Sequence, residues 1–299
     1  MKTTRLSNLL LLHLIVLIFG FTGIWGKLVS LDSGPLVLAR MSIAAVILGA
    51  YMIFIGKGLA LPRKYFVRIL ALGGVIAIHW ISFFEAIQQS NVSVTLSTMA
   101  STTLFVAIFS PAFGKGSFKW YELWLGVLVI LGIALIFGFA QNYWLGILLA
   151  LLSSALAAVF TLGNATLIQH VDAYRISLWE MIGGTVIVLV YLTMKDFHFS
   201  EYLLLSGYDW LWIGMLAILA TTFAFVVSVE VMKVITPFTV AITVNLEPVY
   251  SILLALWIFG EEEKMNVGFY IGSFVIVIAI VFNAWLKKFH RGKALESKV

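Results

Sequence analysis

The stretch Thr236 to Glu263, TPFTVAITVNLEPVYSILLALWIFGEEE, sets Asn245, Glu247 and Pro248 among otherwise mostly apolar residues. A soluble protein can bury such a run as a core helix but has little reason to put a carboxylate at its centre. A membrane span facing a wet cavity does. Composition decides between the two. The 299 residues are 62% hydrophobic and 11% charged, with a mean hydropathy of +1.06, too little polar surface to coat a soluble domain. The chain is therefore expected to be an integral membrane protein. Its net charge of +5 belongs to loops rather than to a nucleic-acid footprint, and no nucleic-acid partner is expected. The absence of cysteine excludes disulfides, thiolate metal sites and a cysteine nucleophile.

Apolar runs of spanning length recur along the chain, punctuated by Gly, Pro, Asn or charge. They predict an all-α membrane fold of ten helices: Asn8 to Leu28, Pro35 to Ile55, Tyr65 to Gln88, Val92 to Ser110, Tyr121 to Phe139, Tyr143 to Gln169, Tyr174 to Met194, Tyr208 to Met232, Pro237 to Phe259 and Val267 to Leu286. The first resembles a signal peptide, with Lys2 and Arg5 ahead of it, but no small-residue cleavage site follows, so it reads as a retained helix. With both termini in the cytoplasm, only Lys27, Lys195 and Lys264 of the basic loop residues fall outside, and Arg40 lies within a span. That asymmetry satisfies the positive-inside rule.

The chain also matches itself. Phe113 to Gly126, FGKGSFKWYELWLG, aligns with Phe259 to Gly272, FGEEEKMNVGFYIG. Upstream, Glu85 corresponds to Glu230, and ARM around Arg40 lines up with WEM around Glu180. The register predicts two five-helix repeats, 8–139 and 143–287, followed by a basic tail, 288–299. An odd number of helices per repeat inverts the second copy, an architecture on which alternating-access carriers are built.

LAR in the second helix, LEPVYSILLALWIFGE from Leu246 to Glu261 and the following GFYIG resemble the drug/metabolite transporter superfamily of the EamA type, with two EamA-like repeats. The resemblance implies secondary transport of small metabolites, often export of amino acids or other polar compounds, without ATP. The first copy departs from the pattern: Thr103 stands where the second has Pro248, and Lys115 where the second has Glu261.

Several residues are candidates for substrate binding or coupling. Pro248 interrupts backbone bonding and reads as a hinge. Thr239, Thr243, Glu247 and Ser251 recur at four-residue spacing as one polar stripe. Glu247 is either a structural partner of Arg40 or a substrate or proton group. Arg40 is an ion-pair partner, a snorkelling end group or a clamp for a substrate carboxylate. The hydroxyls between Ser93 and Thr103, Ser101 among them, line a cavity or simply let helices approach. Glu85 and Glu230 are gates or solvated helix ends, and Glu180 is read the same way. His79 is a proton carrier or an interhelical hydrogen-bonding group. Trp25, beside Gly20, Gly23 and Gly26, forms an aromatic wall or a packing stripe. Asn164 and Asn245 bind polar groups or cross-link helices.

No P-loop or HExxH motif is present, which removes support for an ATP pump or a zincin protease. A channel would favour polar rings over isolated carboxylates, and an embedded enzyme lacks a nucleophile or metal cluster. The expected function is a secondary carrier, not an enzyme, in a bacterial-type cytoplasmic membrane. It takes a small-molecule substrate as monomer or homodimer, with no cofactor or metal and with a proton gradient as the candidate driving force.

Overall fold

The structure, a computed structural model, describes residues 5–114, 141–195, 197–244, 246–275 and single positions at 128, 131–132, 134–135, 277–278 and 281–282. The expected fifth span, Tyr121 to Phe139, lies almost wholly outside these residues, as do Asn245 and the basic tail. Among the described residues every regular element is helical. Helices α1 (Arg5–Gly20), α2 (Thr22–Lys27), α3 (Ser33–Phe54) and α4 (Arg63–Gln88) are followed by α5 (Val92–Met99) and α6 (Thr102–Phe109). The later part of the chain holds α7 (Trp144–Leu167), α8 (Ala173–Thr193), α9 (Gly207–Met215), α10 (Ala224–Val231), α11 (Pro237–Val244) and α12 (Glu247–Phe259). A further helix, α13, occupies 267–275.

Seven helical segments among the described residues are long and apolar enough to cross a membrane. Their outward faces carry Val46, Val67, Leu148 and Val186, all exposed. In water that surface would be costly. In lipid it is solvated, while every span satisfies its backbone internally.

Helix α4 packs against both α7 and α8, and α3 lies along α8. Glycines set how closely these helices approach. A Cβ on Gly73 would sit 2.2 Å from the Glu180 carbonyl oxygen, and one on Gly184 would sit 2.7 Å from that of Gly73. The backbones of α4 and α8 therefore touch directly, as small residues permit in membranes. Gly26 does the same for α2, where a Cβ would fall 2.1 Å from the Phe84 ring. The glycine series around Trp25 is thus a packing stripe.

Two helices are interrupted at matching places. The first breaks between α5 and α6, at Ala100 and Ser101, and the second between α11 and α12, at Leu246. In the first, the Ser101 amide bonds the Thr98 carbonyl (3.0 Å) and the Leu104 amide bonds that of Ser101 (2.9 Å). In the second, Leu246 bonds Thr243 (3.1 Å) and Val249 bonds Leu246 (3.1 Å). These are the same tightened turns in the same register. The expected continuous helix from Pro237 to Phe259 is thus two helices, with Pro248 in the first turn of the second, where its missing amide does no harm. The first break needs no proline: Thr102 Oγ1 donates to the Met99 carbonyl at 2.8 Å, taking up one freed acceptor. Gly114 and Gly260, the glycines of the two Phe-Gly matches, both have positive φ, 66° and 59°.

The π-helical segment Leu216–Phe223 joins α9 to α10. Thr221 and Thr222 donate back to the carbonyls of Leu216 and Ala217, five residues earlier, at 2.8 and 2.9 Å. The wider turn fits these bonds and widens the helix locally.

Candidate functional site

The two breaks face one cavity. Leu96, Met99, Ala100 and Thr102 line it from the first, and Val240, Ala241, Val244 and Glu247 from the second. Its volume is about 130 Å³, room for several waters or one small solute. Aromatic rings make much of the remaining wall: Phe19, Trp80, Phe83, Phe160 and Phe225. Among the described residues the polar lining is sparse, consisting of Glu247, His79, Asn164, Ser228 and three threonines, with no lysine or arginine.

Glu247 heads α12 and is half-buried at the cavity wall. It forms no ion pair within 4.0 Å among the described residues. Arg40 lies near enough to act on it through its charge, but the expected Arg40–Glu247 ion pair is not made. Arg40, 1% exposed, donates from Nε to Thr221 Oγ1 at 2.6 Å. Its guanidinium stacks 3.8 Å from the Trp80 ring centroid and 5.9 Å from that of Phe84. The π turn thus supplies the hydroxyl, and an aromatic face supplies a partner for the cation. Snorkelling is ruled out by this burial, and Arg40 does not reach the cavity wall.

His79 is placed deep in α4. Its Nδ1 lies 2.9 Å from the Ser153 carbonyl oxygen, and Ser153 Oγ donates to the His79 carbonyl at 3.0 Å. Ser153 Oγ also lies 2.8 Å from Nδ1, so both polar groups of Ser153 hold the ring at that nitrogen. Nε2 has no partner among the described residues, and the ring lines the cavity edge-on to Phe160. Asn164, fully buried, lines the cavity and donates from Nδ2 to Glu180 Oε2 at 3.4 Å, a long bond.

The other candidates lie elsewhere. Thr243 turns back on the Thr239 carbonyl at 2.8 Å, and Ser251 donates to the Gly20 carbonyl at 2.6 Å. The helix break divides the expected polar stripe between these two tasks. Ser101 is buried with an unpartnered hydroxyl but is not at the wall. Trp25 stacks on Phe21, ring centroids 5.4 Å apart, away from the cavity. Glu85 accepts from Ser33 Oγ (2.8 Å) and Gln89 Nε2 (3.0 Å), and Glu230 pairs with Lys233 at 2.5 Å. Both are helix-end groups. Asn245 lies outside the described residues.

Three features escaped the sequence reading. Glu180 is not an end group: it is 0% exposed inside α8. The cavity aromatics come from four helices, and no spacing announces their meeting. At one end of the bundle, Glu263, fully buried, accepts from the amides of Val92 (3.0 Å) and Ser93 (2.8 Å), capping α5, and pairs with Lys27 at 3.1 Å. Gly260, whose φ of 59° and ψ of −123° suit only glycine, makes the turn that delivers it. Had the Asn91 N-cap signal been noticed, an acidic cap on α5 could have been sought.

A solved crystal structure shares this fold, with a TM-score of 0.69 and 16% identity over 95% of this chain and 98% of its own. No curated protein sequence matches. The model of the EamA-like transporter family matches residues 6–138 and again 144–285, so the chain belongs to the EamA-like transporter family.

Proposed function

We propose that the protein is an alternating-access carrier in the cytoplasmic membrane, exporting small amphipathic solutes that bear a positively charged amino group, amino acids among them. Its ten spans form two inverted five-helix repeats with both termini in the cytoplasm. The observation that carries this reading is the cavity wall: among the described residues it holds one carboxyl, Glu247, set among aromatic rings, with no lysine or arginine. Aromatic faces and a carboxylate together attract an ammonium group, and the rings bury an apolar body. A carboxylate-bearing solute without an amine would meet no lysine or arginine there among the described residues, since Arg40 stands behind Trp80 and does not line the cavity.

The matched helix breaks support alternating access. Discontinuous helices at the interface of two repeats put free backbone groups at the solute and give each repeat a flexible joint. Proton entry in exchange for solute exit would use Glu247, which is able to bind either an amine or a proton but not both. The test is binding: phenethylamine titrated into the purified protein should perturb tryptophan fluorescence saturably, through Trp80, and Glu247→Gln should weaken binding at least tenfold. Equal affinity for phenylacetate, which has the same body without the amine, would refute the assignment.

A further inference from the structure

Glu180 is an acid at 0% exposure within a span, and the transport reading above does not use it. It lies 7 residues into α8, roughly 10 Å along the helix axis at 1.5 Å per residue. On the α4 side the Gly73 backbone closes directly on its own backbone, so no water reaches it from there. Its Oε1 is buried with no partner, and Oε2 has only the long bond from Asn164. Asn164 Oδ1 is also buried and unpartnered. A buried carboxylate with one unpartnered oxygen, one long amide bond and no ion pair among the described residues is a costly arrangement at membrane depth.

The ionisable groups on the helices packed against α8 make no bond to Glu180 among the described residues. Arg40 on α3 bonds Thr221, and His79 on α4 bonds Ser153. Glu85 holds Ser33 and Glu230 on α10 holds Lys233. Tyr51 stacks on Tyr174, and Arg63, Lys64, Tyr65 and Arg68 stand in the first two turns of α4. None bonds Glu180 among the described residues, and α7 carries no ionisable side chain.

A proton resolves the arrangement. The two ends of an asparagine amide are interchangeable by a half-turn. With Glu180 protonated, its O–H donates to Asn164 Oδ1 and the amide NH₂ is free to turn to the cavity. With Glu180 ionised, Nδ2 donates to the carboxylate and Oδ1 is the end left for the solute. An ammonium group is accepted by the second arrangement and opposed by the first.

We propose that Glu180 and Asn164 form a second proton-binding site, in which the Asn164 amide reports the protonation of Glu180 to the solute cavity and makes proton and amine compete. This rests on the carrier reading for its consequence but not for its chemistry, so the two are tested separately. Infrared difference spectra of the purified protein between acidic and alkaline buffers should show a protonated-carboxyl band that titrates. The band should vanish in Glu180→Gln, persist in Glu247→Gln and shift in frequency in Asn164→Leu. Glu180→Asp, which keeps the acid, serves if the glutamine variant does not fold, and should move the band. A spectrum unchanged by both substitutions, or a Glu180 band that does not titrate, would overturn the site. So would a band removed by sodium but not by potassium at fixed pH, which would make it a metal-ion site. Phenethylamine added to wild-type protein should then shift the titration to more acidic pH. If the band titrates but ignores the amine, the competition is refuted while the proton site stands.

Discussion

The Arg40 guanidinium lies 3.8 Å from the centroid of the Trp80 ring, and Trp80, unlike Arg40, lines the cavity. The cation therefore backs the wall at Trp80. Arg40→Lys keeps the charge but loses the flat stack and the Nε bond to Thr221, and should cost about 1–2 kcal/mol. Arg40→Ala, which also leaves a void, should cost about 2–5 kcal/mol. Thermal unfolding in detergent measures both, and an unchanged midpoint in the alanine variant would contradict this role.

Glu263 ties α5 to Lys27 of α2 from the turn after α12. Glu263→Ala strands two amides and a lysine, and should cost about 1.5–3 kcal/mol. Glu262 also pairs with Lys27, but its side chain is 73% exposed. Glu262→Ala should cost less than about 0.5 kcal/mol. If this tie closes one face of the carrier, Glu263→Ala should also raise the rate at which thiol reagents modify a cysteine placed at Met99, read cleanly in a chain with no cysteine of its own.

The α4–α8 contact depends on bare backbone. Gly73→Ala would drive a methyl to 2.2 Å from the Glu180 carbonyl, where neither helix can yield cheaply, whereas at Gly214 nothing lies within 4 Å. Gly214→Ala should therefore be neutral or stabilising by up to about 1 kcal/mol. Gly73→Ala should lower the unfolding midpoint sharply. Equal midpoints for the two would show that the helices are farther apart than described.

Spanning helices were legible in the sequence because lipid demands long uninterrupted apolar runs, and the repeat showed through Phe113-Gly114 and Phe259-Gly260, whose glycines share positive φ. The break at Ala100 and Ser101 was hidden: no proline marks it, and the hydroxyls that accommodate it also occur in unbroken helices. Glu247, His79 and Asn164 were named from their depth and do line the cavity. Arg40, named for lying within a span, and Trp25, named for the glycines beside it, do not. Depth in a span is written in the sequence, but the direction a side chain faces is set by which helices pack together. Glu180 was misplaced for that reason, since its partner Asn164 is on another helix.

Ala157 and Phe160 line the cavity from α7. Ala157→Phe should fill the cavity, abolish solute binding and leave the unfolding midpoint within about 1–3 kcal/mol of wild type. Retained binding would place the solute elsewhere.

The central claim is that Glu247 selects an amine in this cavity. Its most direct test is flux in proteoliposomes of labelled phenethylamine and labelled phenylacetate under an imposed pH gradient, with wild-type protein and Glu247→Gln. Saturable, gradient-accelerated movement of the amine alone, lost in Glu247→Gln, is the predicted result. Movement of the acid as fast as the amine, or wild-type flux of the amine in the glutamine variant, would contradict it.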